Sequence, residues 1–92
     1  MSEKFDWHPN KARTNLSRHK ISFTEAQTVF EDPFYVDFYD PDHSDDEERF
    51  LIVGQSQQGR LLVVSYTERR GKIRLISARE ATPREQSDYE EG

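Results

Sequence analysis

Ninety-two residues leave room for one domain with a modest core, and a formal charge of −5 with 34% charged residues makes its surface acidic overall. The absence of cysteine excludes a disulfide framework and any thiolate metal site. No apolar run approaches the roughly 18 residues of a membrane span, and Met1-Ser2-Glu3-Lys4 lacks the apolar stretch of a signal peptide, so a single cytoplasmic domain over residues 1–92 is expected.

Phe5-Asp6-Trp7 reads as a short strand. Pro9 suits the first turn of a helix running to about Lys20, with Ala12, Leu16 and His19 spaced for an inward face. Ser22 and Glu25 form a capping box for a second helix, Ile21 and Ala26 sit where a hydrophobic staple closes, and Ala26, Val29 and Phe30 supply its buried stripe. Asp32-Pro33 ends that helix, because proline disfavours helical geometry in the residue before it. Residues 34–39 are aromatic and strand-like. The acidic block 40–48 is too polar to pack and reads as an exposed loop; it fails the calcium-loop template, with Asp45 at the sixth position and Leu51 at the twelfth, so no metal site is expected.

Residues 49–56 and 61–68 pair around the turn 57–60, and the turn 69–72 leads into a strand over 73–78, giving a three-stranded meander. With Arg70-Gly71 at the turn centre, strict alternation puts Thr67 opposite Arg74 and Ser65 opposite Ile76 on one face, with Glu68, Tyr66 and Arg79 on the other. Thr82 and Glu85 form a second capping box with Pro83 at the first helical position, so a last helix is expected over about 83–91. Tyr89 is its only apolar anchor, which predicts a loosely held helix.

Charge is distributed unevenly along this frame. Residues 49–79 carry seven Lys/Arg against the single acid Glu68, a local +6 that suits a phosphate-bearing partner. The acids collect in 40–48 and 80–92, where such runs read as solvated loops or tails, and are expected to leave the basic hairpin unneutralised.

Taken in order, Phe5-Asp6-Trp7 with Pro9 and Lys11, Asn15 with His19, Ile21-Ser22-Phe23 with Glu25-Ala26, Val29-Phe30 with Asp32-Pro33, Glu48-Arg49-Phe50, Gly59-Arg60-Leu61-Leu62-Val63-Val64, Thr67-Glu68-Arg69 and the run from Ile73 to Arg79 resemble the BrnT toxins of type II toxin-antitoxin systems. The resemblance spans Phe5 to Tyr89. It implies a RelE-like α+β fold in which two N-terminal helices pack on a mainly antiparallel β-sheet, followed by a C-terminal helix. It further implies metal-independent RNA cleavage without a cofactor, and a BrnA-like ribbon-helix-helix antitoxin as partner. Three positions depart from the family pattern: His8 where Asp is usual, Lys20 where Gly is common, and an acidic rather than basic C-terminal segment.

Metal-free cleavage of RNA needs a base for the 2′-hydroxyl, positive charge on the pentavalent phosphate and an acid for the leaving 5′-oxygen. Arg74 and Arg79 on the final strand answer the second need, since a guanidinium offers phosphate a bidentate fork; the competing reading is an ordinary ion pair, Arg79 with Glu80 or Glu85. Glu68, Tyr66 and His19 are the candidates for proton transfer or base contact, against plainer roles as a cross-strand partner of Arg49, a packed strand tyrosine and a helix C-cap. Lys11, Arg49, Arg69, Arg70 and Lys72 are the candidate RNA contacts. The function expected is an endoribonuclease toxin that blocks translation and growth. The alternative is a non-catalytic module that binds and tunes a DNA-binding antitoxin. In either case DNA is reached only through the antitoxin, no membrane is involved, and the antitoxin is expected to fold on the Arg74/Arg79 face in a 2:2 assembly.

Overall fold

A computed structural model of the chain describes residues 4–43 and 46–91; Met1–Glu3, Ser44, Asp45 and Gly92 lie outside it, and with them two residues of the acidic block. The elements are β1 (Phe5–Trp7), α1 (Pro9–His19), α2 (Phe23–Gln27) continued by a 3-10 turn (Thr28–Glu31), β2 (Val36–Tyr39), β3 (Phe50–Gln55), β4 (Leu61–Arg69), β5 (Lys72–Glu80) and α3 (Pro83–Glu91), with a second 3-10 turn at Pro41–His43. They build one five-stranded sheet in the order β1-β5-β4-β3-β2, antiparallel except where β1 lies parallel to β5. The chain is therefore α+β, the class that the resemblance implied. No helix among the described residues is long and apolar enough to cross a membrane.

One face of the sheet carries the core. Ile52, Leu62, Val64, Tyr66, Leu75 and Ala78 pack against Ile21, Phe23, Ala26 and Val29 from the α2 region. Phe30 stands edge-on to Phe5 and to Tyr66, with ring centroids 5.1 Å apart in both pairs. Gly54 of β3 lets this layer close. A Cβ there would stand 2.9 Å from Val29 Cγ1 and 3.2 Å from Asp32 Oδ2.

The helix ends explain two of the departures from the family pattern. His8 caps α1 after all, its Nδ1 accepting the Asn10 N–H at 3.1 Å. Lys20 takes the left-handed conformation (φ 60°, ψ 31°) that glycine adopts without steric cost. Its N–H bonds the Leu16 carbonyl, and its own carbonyl accepts Arg60 Nη2 at 3.0 Å. Arg60 also grips buried Glu25, whose other contact is Ser56 Oγ at 2.7 Å. Glu25 is thus drawn away from closing its capping box, and only the Ser22 Oγ to Glu25 N–H half forms, at 3.0 Å.

The inward face of α1 is a correction. Ala12 packs on the core, but Leu16 is 51% exposed and His19 is exposed, while Asn15 is buried. Beyond Trp7, β5 has no strand beside it, and the Asn15 carboxamide stands in for one. Its Oδ1 accepts the Ala78 N–H at 2.9 Å, and its Nδ2 donates to the carbonyls of Ala78 at 2.9 Å and Ile21 at 3.0 Å. Satisfying that buried backbone outweighs burying one more leucine.

Candidate nucleic-acid interface

The residues expected to act on RNA are placed by an irregularity in β5. Thr67 pairs with Arg74 as the turn geometry predicts, and Tyr66 with Leu75, but Ser65 pairs with Ser77, not Ile76. Ile76 is the extra residue of a β-bulge. Strict alternation would send Arg74 and Arg79, five positions apart, to opposite faces. The bulge resets the phase, so Leu75 and Ala78 both reach the core, while Arg74 opposite Thr67 and Arg79 opposite Val63 share the other face. Tyr66 is the one left behind: it lies on the core face, 7% exposed, with its hydroxyl donating to Asp37 Oδ2 at 3.2 Å. Burial, with the Asp37 carboxylate beside it, pushes its pKa well above the ordinary tyrosine value.

The β4–β5 turn is tight, with Arg70 (φ 54°) and Gly71 (φ 78°) both left-handed. It gathers Arg69, Arg70, Lys72 and Arg74 around a cleft of about 440 Å³ whose one acid is Asp6. Asp6 lies beside Arg74 in the parallel β1–β5 register, Oδ1 to Nη1 3.5 Å, and that Oδ1 is buried without a hydrogen bond. Asp6 is not among the site residues that the sequence motifs single out. The signal was its place between two inward aromatics, Phe5 and Trp7, which turns it to the face of Arg74. Glu68 sits exposed near the same tip, opposite Ile73.

A second cleft of about 320 Å³ opens where α1 passes the bulge. Lys11, Arg18 and His19 line it together with Ile76 and Ser77. Lys11 and His19, eight residues apart on α1, thus flank the strand that carries both arginines. Arg49 is placed differently, in a cleft of about 210 Å³ with Asp42, His43, Asp46 and Glu47 of the acidic loop.

Acids do reach the hairpin, contrary to the sequence expectation. Glu47 binds Arg69 Nη2 through both oxygens, at 2.8 and 2.9 Å. Glu85 holds Arg79 in a two-bond fork, Nη1 to Oε1 at 2.7 Å and Nη2 to Oε2 at 2.8 Å. The Arg79 bonds, and the Thr82 N–H that donates to the same carboxylate at 2.9 Å, hold Glu85 down to a pKa of about 2 despite partial burial. The Thr82/Glu85 capping box closes in both directions. Helix α3 is tied down by two polar contacts: Arg79 at its start, the pairing the sequence offered as an alternative, and near its end the Tyr89 hydroxyl on Asp32 Oδ2 at 2.5 Å, which the sequence did not advertise.

The sequence matches the family model described as "Ribonuclease toxin, BrnT, of type II toxin-antitoxin system" over residues 7–85. The chain belongs to the BrnT toxin family. Among solved structures, its fold resembles the ribonuclease toxin BrnT of Brucella abortus, a crystal structure at 1.1 Å, with a TM-score of 0.64 and 19% sequence identity over 88% of this chain and 99% of that one. At that identity the likeness speaks for the fold alone. No curated protein matches the sequence. The matched residues include the basic side chains of both clefts, the bulge and Glu85, but stop short of Asp6 on one side and Tyr89 on the other.

Proposed function

We propose that this BrnT-family chain is a metal-independent endoribonuclease toxin that cleaves RNA and so stops translation and growth. The observation that carries this reading is the bulge at Ile76, which puts Arg74 and Arg79 on one face between a basic cleft at the hairpin tip and another along α1. In this reading the two guanidinium groups balance the charge that builds on the phosphate as the ribose 2′-oxygen attacks phosphorus and the bond to the 5′-oxygen breaks. Arg69, Arg70, Lys72 and Lys11 hold flanking phosphates, and Arg49 adds a more distant contact. His19, in the α1 cleft beside the bulge, carries the proton in this reading, since an imidazole can both accept and donate one. Glu68 supports the hairpin tip. Tyr66, fastened to Asp37 on the core face, acts through packing.

A BrnA-like ribbon-helix-helix antitoxin neutralises the toxin in this reading, folding on it and joining two copies through its own DNA-binding dimer. Digestion of RNA by purified protein in excess chelator is the test. Products ending in 2′,3′-cyclic phosphate, lost in Arg74→Ala, are expected; intact RNA, or activity that chelation abolishes, overturns the reading.

The second reading, a non-catalytic module that tunes a DNA-binding antitoxin, draws on one observation. Arg79 and Arg69 already hold carboxylates, Glu85 and Glu47, where phosphate would sit. The same digestion separates the two.

A further inference from the structure

We infer that the outer edge of β2, with its aromatic flank, is where the antitoxin docks, by adding an extended, basic and apolar segment as a sixth strand. The sheet order ends on β2, so among the described residues no strand covers the backbone of residues 36–39 on that side. Around it stand most of the large apolar side chains exposed among the described residues: Phe34 at 75%, Tyr39 at 52%, and Tyr35 and Phe38 at 47% each. An exposed edge of this kind invites a further strand, and natural proteins usually blunt it.

Charge decides the occupant. Residues 31–48 hold nine acids and no lysine or arginine. That field repels the phosphates of RNA, so base stacking on these rings is disfavoured. It equally disfavours a second copy, whose own acidic block would be brought alongside. A segment alternating Lys/Arg with apolar residues satisfies both features at once: its backbone pairs with residues 36–39, its apolar side chains cover the rings, and its cations meet the acids. A type II toxin has an antitoxin as its dedicated partner, and the inference rests on that part of the proposed function. The position also suits neutralisation. Phe38, Leu51, Ser65 and Ser77 form one cross-strand row on the face of Arg74 and Arg79, so a segment anchored at β2 has a direct path to the arginines.

The experiment titrates a BrnA-like antitoxin, and beside it a synthetic peptide alternating lysine with apolar residues, into wild type, Phe38→Asp and the milder Phe34→Ser, with circular dichroism to confirm that each variant is folded. Affinity should fall at least tenfold in Phe38→Asp and measurably in Phe34→Ser. The salt dependence should flatten in Asp42→Asn, and the outward-facing amides among 36–39 should gain exchange protection on binding. RNA cleavage by the free Phe38→Asp variant should stay at the wild-type rate, so failure of docking and failure of the ribonuclease reading are told apart. Unchanged affinity, no binding to wild type, or no protection at 36–39 overturns the inference. So does loss of RNA binding in Phe38→Asp, which would make the rings a stacking surface, or a free dimer that the same variant splits.

Discussion

Arg79 and Glu85 meet as two parallel hydrogen bonds, 2.7 and 2.8 Å, across the junction between the last strand and the last helix. One carboxylate therefore does two things: it closes the cap of α3 and fills the guanidinium fork of Arg79. The pair makes α3 pH-dependent. A carboxyl depressed in the folded state adds stability that is complete above its ordinary pKa of 4.5 and lost as pH falls toward about 2. Exchange protection of the amides in 83–91 is expected to drop within that window, and in Glu85→Gln to be low already at neutral pH. Protection that is flat across the window would show that packing, not this fork, holds the helix.

If Arg74 and Arg79 serve mainly the transition state, replacing either with alanine lowers the cleavage rate more than RNA affinity. Lysine does not restore the rate, because the fork is lost with the guanidinium. Single-turnover cleavage beside equilibrium RNA binding reads both. A variant that loses affinity and rate in equal measure would assign the arginine to uniform binding instead.

Asn15→Ala should destabilise the fold by about 2–4 kcal/mol in urea unfolding, since it strands the Ala78 N–H and two carbonyls away from water. Asn15→Asp should do no better, because a carboxylate cannot donate to those carbonyls. A cost below about 0.5 kcal/mol, the range of ordinary surface substitutions, would refute this role for the carboxamide.

Lys20→Gly is expected to stabilise, by about 0.5–1 kcal/mol, through relief of the left-handed strain at φ 60°. The Arg60 bond survives because it ends on the backbone carbonyl. Thermal unfolding of the variant checks the sign.

Gly54→Ala should cost about 1–3 kcal/mol, the range of overpacking, because the new Cβ would press on Val29 Cγ1 at 2.9 Å and on the Cβ of Tyr35 at 3.3 Å. Denaturant midpoints of the pair of proteins give the answer directly.

The strands and helices were legible because their signals are local: the Arg70-Gly71 turn, the Thr82/Glu85 box, and the alternation of Leu62, Val64 and Tyr66. The α+β class came with the family resemblance, and the local signals agree with it. Which arginines share a face was not legible, since that depends on whether Ile76 is paired or bulged. No residue in Ile73 to Arg79 advertises a bulge. The inward turn of Asn15 was hidden for a related reason. An asparagine is buried only when a distant backbone needs it, and the free edge of β5 exists only once the sheet is assembled. The reach of Glu47 and Glu85 to the hairpin was likewise set by tertiary approach, although Glu85 had been named as a partner of Arg79 on spacing.

The parallel pairing of Phe5 with Ile73 and Trp7 with Leu75 sets an order of events during synthesis. Strands β3, β4 and β5 can close on one another through short turns, but β1 must wait on the ribosome until the far end of the chain has been made. Contacts of such long sequence separation form late and slowly. Asp6 joins Arg74, and α1 comes to lie beside the bulge, only when that closure occurs. A polypeptide cut short before residue 73 therefore has neither Arg74 nor a partner strand for β1, so translational abortion yields fragments without the assembled basic face.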